Sequence, residues 1–330
     1  MFNSEVELYK DHDTIKCIYQ DSDARGNTIT QTIPIARLNS IETYGNVKIS
    51  SPLLQLCNEL KVPCYFNTYH GKPIGTFVPE NPKPSIIRLN QYETFLEENK
   101  KLLISKALVC KATEERIRIQ EKFQEDNSLK KNLKRIDKFK KQIGKVKSVP
   151  QLRGLEGNIM KEFFKSFSTM LRNLPFAGRS QQPPKDEGNA ILSYGNVILY
   201  NTVRAVIYRC GLDPLVGFLH EPHENRNSLA LDIAEIFRPI IVDNLILRLD
   251  HKNNLNSNHF EKDVIKCHLN EKGKKIWIRH YKKFLHSSIY YPPLKRNISV
   301  REEIKLECYN LIKYISNENK VYSPLHFNNN

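Results

Sequence analysis

Near residue 85 the spacing of apolar side chains in this 330-residue chain changes period, and that change limits the fold more than any other feature. Before it, Leu8, Ile15, Ile18, Ile29, Ile33, Ile35, Ile41, Val47 and Ile49 recur at short intervals among polar and turn residues, the pattern of short β-strands. Tyr44-Gly45-Asn46 and His70-Gly71-Lys72-Pro73 predict turns, and Val62-Pro-Cys-Tyr-Phe66 and Ile74-Gly-Thr-Phe-Val78 predict further strands. Ser51-Pro52 through Leu60 has helical spacing, with Pro52 acceptable in a first turn. Pro79, Pro82 and Pro84 mark a linker. Beyond it Tyr92, Phe95, Leu102, Leu103, Ile104 and Leu108 follow a period of 3.6, and β-like alternation disappears. A β-rich unit followed by a larger helical one makes an α+β chain.

Pro150 introduces an amphipathic helix whose Leu152, Leu155, Ile159, Phe163 and Phe167 share one face at 100° per residue. Glu156 falls near the middle of that face. A break spans residues 181–188. An apolar helix then runs from Ala190 through Tyr208 and stops at Cys210-Gly211, glycine being a common helix stop. Residues 245–320 read as further helices with basic faces. Within 127–148, nine Lys or Arg residues face one acid, Asp137. Such a run is either a solvated helix face or a phosphate-contacting surface.

The net charge of +15 and a pI near 9.4 favour polyanionic partners, nucleic acid first and an anionic membrane surface second. A membrane role lacks support, because no terminal helix carries exposed large apolar residues and no apolar stretch could span a bilayer. Seven cysteines, scattered and without a CxxC pair, fit reduced thiols. The N-terminus lacks the basic region and apolar run of a signal peptide. A cytoplasmic protein is expected.

The chemistry concentrates in Gly217-Phe-Leu-His220-Glu221 and in Ser228-Leu-Ala-Leu-Asp232-Ile-Ala-Glu235-Ile-Phe-Arg238-Pro239. Asp232 and Glu235 are one turn apart, beside the apolar stripe Leu229, Ile233, Ile236 and Ile240, so their side chains neighbour one another. Close like charges raise a pKa or recruit a cation. A lone acid on an apolar face, such as Glu156, is either paired with Lys or Arg or serves as a ligand. His220-Glu-Pro-His-Glu224 is not the HExxH of a zinc protease, and Pro222 falls inside the would-be helical turn. Two carboxylates and an imidazole form a hard, mixed set that suits Mg²⁺ or Mn²⁺. Neither a GxxxxGK[ST] phosphate loop nor a GxSxG elbow is present. Metal plus strong positive charge points to phosphodiester chemistry on nucleic acid.

Several blocks together resemble the Cas1 family of CRISPR-associated spacer-acquisition integrases and endonucleases. They are Ile33-Pro34; Ile41 through Ser50; Val62 through Phe66 with Gly71 and Gly75; Arg88-Leu-Asn-Gln-Tyr92; Leu152-Arg-Gly-Leu-Glu156-Gly157; Asn189 through Gly195 with Leu199-Tyr-Asn201; Gly211-Leu-Asp-Pro214; Gly217 through Glu221; and Ser228 through Pro239. The likeness covers roughly residues 30–250. It implies an N-terminal β-sandwich-like domain over residues 1–85 that dimerises, an all-α metal-binding catalytic domain over 86–318, and a flexible tail over 319–330.

By motif, the resemblance puts metal ligands and catalytic residues at Glu156, His220 and Glu235, with Asp232 in support. The implied cofactor is Mg²⁺ or Mn²⁺. The implied partners are protospacer and repeat DNA, a second copy of the chain, and the small Cas2 protein. The implied reaction is attack of a DNA 3′-OH on a phosphodiester, with water replacing it in hydrolysis. Because the nucleophile belongs to the DNA, no Ser or Cys nucleophile is needed. The alternative is a DNA-binding scaffold that has kept the fold without the chemistry.

Overall fold

The computed structural model describes residues 5–20, 27–38, 40–69, 73–80, 83–123, 128–180, 183–224 and 226–325. Gly71, Pro82, the Gln181-Gln182 pair and the last five residues lie outside them. The chain divides into two compact units, Met1–Lys83 and Pro84–Asn330.

In the first unit β1 (Val6–Asp11), β2 (Thr14–Gln20), β3 (Thr28–Pro34) and β5 (Val47–Ile49) form a four-stranded sheet in the order β3-β2-β1-β5. A second sheet has the order β4 (Ile41–Tyr44), β6 (Cys64–Asn67), β7 (Pro73–Phe77), and α1 (Ser51–Glu59) joins the two. Leu8, Ile15 and Cys17 of one sheet, Ile41 and Cys64 of the other, and Leu53, Leu56 and Cys57 of α1 make one core. Each sheet thus buries one face against a shared interior.

The second unit contains α2 (Ile86–Leu96), α3 (Glu98–Lys122), α4 (Ser128–Ile143), α5 (Val149–Met170), α6 (Glu187–Cys210) and α7 (Ser228–Phe237). A π-helical turn, Arg238–Asp243, follows α7, and α8 (Asn244–His251), α9 (Glu271–Leu285) and α10 (Val300–Ile315) complete it. The stripe on α5 lies inward, with Leu152, Ile159, Phe163 and Phe167 fully buried. Ser148 caps α5, accepting from Gln151 N, and Asp186 caps α6, accepting from Asn189 N at 2.7 Å. Helix α6 is buried along most of its circumference and ends at Gly211, whose φ of 90° lies in the left-handed region. Among the described residues no helix is long and apolar enough to cross a membrane.

Two features differ from expectation. The region after α8 is not wholly helical: β8 (Phe260–Lys262) pairs with β9 (Cys267–Leu269), and β10 (Ser288–Tyr291) pairs with β11 (Arg296–Ser299). Strands of three or four residues are too short to leave a readable period. The tail expected over 319–330 is anchored as far as it is described. Tyr322 is buried, its hydroxyl donates to Glu307 Oε1 (2.6 Å), and Leu325 N donates to Glu307 Oε2 (2.8 Å).

The Lys-rich run forms α4, which is both structural and cationic. Leu129, Ile136 and Ile143 face inward, and Arg135 and Lys140 pair with Glu162 and Glu114 at 3.2 and 3.0 Å. Lys130, Lys131, Lys134 and Lys138 remain exposed.

Candidate metal centre

Glu156 lies on the same face as the buried α5 stripe but is itself only half-buried. Burial raises its pKa and the charge of Glu235 raises it further, against Arg116, Arg238 and His220. No described residue donates a hydrogen bond to its carboxylate.

His220 lies in the loop that precedes α7, and Asp232 of α7 holds that loop. The fully buried Asp232 carboxylate accepts the backbone N–H groups of Phe218, Leu219 (3.0 Å) and His220 (3.0 Å), and meets His220 Nδ1 at 2.8 Å. A carboxylate can only accept, so Nδ1 carries the proton and Nε2 is the nitrogen left for a ligand. Gly217 makes this closure possible: a Cβ there would lie 2.7 Å from Asp232 Oδ2. Burial works against an imidazolium at His220, but Asp232, with Glu235 and Glu156, outweighs it and raises the pKa. Pro150, Arg153, Gly154, Glu156, Leu219 and His220 line a groove of about 400 Å³.

Asp232 and Glu235 are neighbours on α7 but do not share a partner. Two acids one turn apart could raise a pKa or recruit a cation; in the structure Asp232 turns to the loop and Glu235 turns to two guanidiniums. Arg116 Nη2 on α3 donates to Glu235 Oε2 at 2.6 Å, and Arg238 Nη1 donates to Oε1. Burial opposes the Glu235 charge, yet Arg238 and Arg116 hold its pKa down at about 2. Arg116 also lies 5.9 Å from the centre of the Phe163 ring. Pro239 lacks the N–H that would close an α-helical bond to Glu235, and the backbone widens there into the π-helical turn. That turn places Asp243 in the same charge network, with Oδ1 unpaired, and burial pushes its pKa up to about 6 against Arg238 and Arg116.

Arg116, Arg238 and Asp243 were not among the expected site residues. The first two carry legible signals. Arg116 continues the apolar stripe Leu108, Ala112, Ile119 of α3, and Arg238 stands three residues after Glu235 in an otherwise apolar run. Asp243 is recognisable only through the turn that carries it.

Among the described residues no three His, Cys, Asp or Glu side chains form a ready metal cluster. The donor set nevertheless fits a hard divalent cation. Glu156 is an unpartnered carboxylate in a groove, His220 offers Nε2, and each Glu235 oxygen keeps a second lone pair.

The family model for CRISPR associated protein Cas1 matches residues 1–283. A CRISPR-associated endonuclease Cas1 from Moorella thermoacetica is 33% identical over 299 residues, 90% of this chain and 91% of that protein. A solved CAS1 protein from Thermotoga maritima superimposes with a TM-score of 0.82 at 28% identity, covering 99% of each chain. A casposase bound to integration product, 19% identical, shares the fold with a TM-score of 0.83 over 99% of this chain and 93% of that one.

Proposed function

The chain belongs to the Cas1 family of CRISPR-associated proteins, and on that premise we propose that it is the metal-dependent endonuclease and integrase of CRISPR adaptation, inserting protospacer DNA into the CRISPR array. The observation that carries the reading is the pairing, across one groove, of an unpartnered Glu156 carboxylate with a His220 ring oriented by Asp232. Glu156, His220 Nε2 and Glu235 are the ligands for Mg²⁺ or Mn²⁺, which when bound neutralises charge on the attacked phosphodiester and its leaving oxygen.

The rest is done by the protein's own groups. Asp232 fixes the His220 tautomer and holds Nε2 toward the groove. Arg116 and Arg238 hold the Glu235 pKa down and keep the carboxylate ionised and aligned at neutral pH. The chain's positive charge draws the DNA backbone toward the groove. The attacking 3′-OH comes from the incoming DNA, and water replaces it when the outcome is cleavage.

The expected partners are DNA, a second copy of the chain and the Cas2 protein. The seven free cysteines suit a reducing cytoplasm. The competing reading is a non-catalytic DNA-binding scaffold, favoured by one observation, the occupation of both Glu235 oxygens by guanidiniums.

A strand-transfer assay with labelled branched DNA decides between them. Metal-dependent joining or cleavage that is lost in Glu156→Ala, His220→Ala and Glu235→Ala supports the enzyme. DNA binding with no metal-dependent chemistry in the parent protein supports the scaffold.

A further inference from the structure

Helix α5 carries two glycines, Gly154 and Gly157, one on either side of Glu156. Glycine inside a helix loses more conformational entropy on folding than alanine does. Neither packing nor backbone geometry accounts for these two. Both are exposed, neither has a positive φ, and a Cβ built on either meets no atom within 4 Å. At Gly217, by contrast, the added carbon would collide with Asp232 and Ser228.

Both glycines lie where α5 borders open space. Gly154 lines the groove that holds Glu156 and His220. Gly157 lines a second cavity, of about 650 Å³, which continues along α5 past Lys161, Phe164 and Lys165 to Arg179. Lys161, Arg179 and Lys165, the last in an ion pair with Glu162 at 2.7 Å, surround the half-buried Phe164, and cations beside an aromatic side chain are the combination that holds a nucleic acid strand. The far wall is held in place. Asn189 Nδ2 donates to Gly178 O (2.8 Å), and Arg179 Nη1 donates to Asn189 Oδ1 (3.0 Å) and Ser193 Oγ (3.1 Å).

We propose that Gly154 and Gly157 set the clearance at which a single DNA strand passes Glu156. The strand runs from the cavity of Lys161, Lys165 and Arg179 along α5, its backbone lying against the two bare Cα atoms as it reaches Glu156 and His220. This rests on the integrase reading and adds the direction from which the strand arrives and the residues that set its distance. A methyl group at either position pushes the strand away from the ligands, and a displacement of about 1 Å at a reacting centre costs on the order of 100-fold in rate.

The test uses the full chain with Gly154→Ala, Gly157→Ala and Gly157→Leu, assayed beside Glu156→Ala on labelled branched DNA with Mg²⁺. The expected result is a fall in kcat/KM of about 10- to 100-fold in the alanine variants and a larger fall in Gly157→Leu. Tm in the alanine variants should equal or exceed that of the parent, and Mn²⁺ binding to the DNA-free protein, read by electron paramagnetic resonance, should not change. Parent-like kcat/KM in both alanine variants, with Glu156→Ala inactive, overturns the clearance role and leaves the integrase reading intact. Activity lost together with a lowered Tm or weakened Mn²⁺ binding also overturns it, since the glycines would then serve the helix or the metal. Full activity in Glu156→Ala removes the integrase reading and the clearance role with it.

Discussion

The Asp232 carboxylate closes on His220 twice, at its backbone N–H (3.0 Å) and at its ring Nδ1 (2.8 Å), so one buried anion fixes both the loop and the orientation of the imidazole. Replacing Asp232 with Ala leaves three backbone donors without their acceptor. The expected loss of stability is about 2–5 kcal/mol, from buried unsatisfied groups. In Asp232→Asn the shape survives but the anion that selects the tautomer is gone. Strand transfer should then fall by about 10- to 100-fold, through loss of ligand orientation. Urea unfolding and single-turnover joining assays measure the two effects separately.

Glu156 and Glu235 should respond in opposite senses to the same change. Glu235→Gln leaves two buried guanidiniums without their anion and should cost about 3–5 kcal/mol. Glu156→Gln removes a carboxylate whose ionised form is disfavoured by burial and by Glu235, so Tm at neutral pH should hold or rise. Both variants should lose metal-dependent strand transfer. Equal destabilisation in thermal unfolding would contradict the two electrostatic environments.

Acid should weaken the fold through Glu235. Its folded pKa of about 2 lies below the ordinary 4.5, so its contribution is present above pH 4.5 and is lost as pH falls toward 2. Glu303 on α10 has the opposite sign. Burial and Glu115 push its pKa up to about 8, so the folded state keeps a proton that the unfolded chain releases, and stability falls as pH rises from 4.5 through 8. Glu303→Gln should therefore raise Tm at pH 8.5 and leave it nearly unchanged at pH 4.

Divalent cation should stabilise the parent protein before any DNA is added. Binding to the folded state alone contributes about 2.7 kcal/mol at a hundredfold excess over Kd. Differential scanning calorimetry with Mn²⁺ should show an upward shift in Tm, reversed by chelator and absent in Glu156→Ala. A Tm that ignores the cation would remove Glu156 from the ligand set.

The outer face of α4 offers a separable electrostatic test. Changing Lys130, Lys131, Lys134 and Lys138 to Gln leaves the inward Leu129, Ile136 and Ile143 untouched. If these lysines meet phosphates, the slope of log affinity against log salt becomes shallower by about 0.9 for each phosphate no longer neutralised. An unchanged slope would make α4 a purely structural helix.

Local pattern accounts for much of this structure, and long-range pairing for the remainder. The α5 stripe and the stop at Gly211 are legible because each depends on residues within a few turns. Glu156 and Glu235 are legible as acids in apolar surroundings, since an ionisable group there demands compensation. What compensates Glu235 is not legible: Arg116 lies 119 residues away, and proximity of that kind belongs to the packing of α3 on α7. The pair of short ribbons after α8 escapes notice for another reason. Their three- and four-residue strands are held by register and by neighbours such as Pro184, whose carbonyl accepts from Cys267 N at 2.8 Å.

The pairing of Arg116 with Glu235 also bears on how such a chain is made. During synthesis the ribosome releases Arg116 well before Glu235, and Arg238 follows three residues later. A partly made chain holds α5 with Glu156, but lacks both the acid on α7 and the turn that completes its clamp. The buried clamp around Glu235 therefore closes only after this segment has been translated, and until then the Arg116 guanidinium on α3 is without its α7 anion.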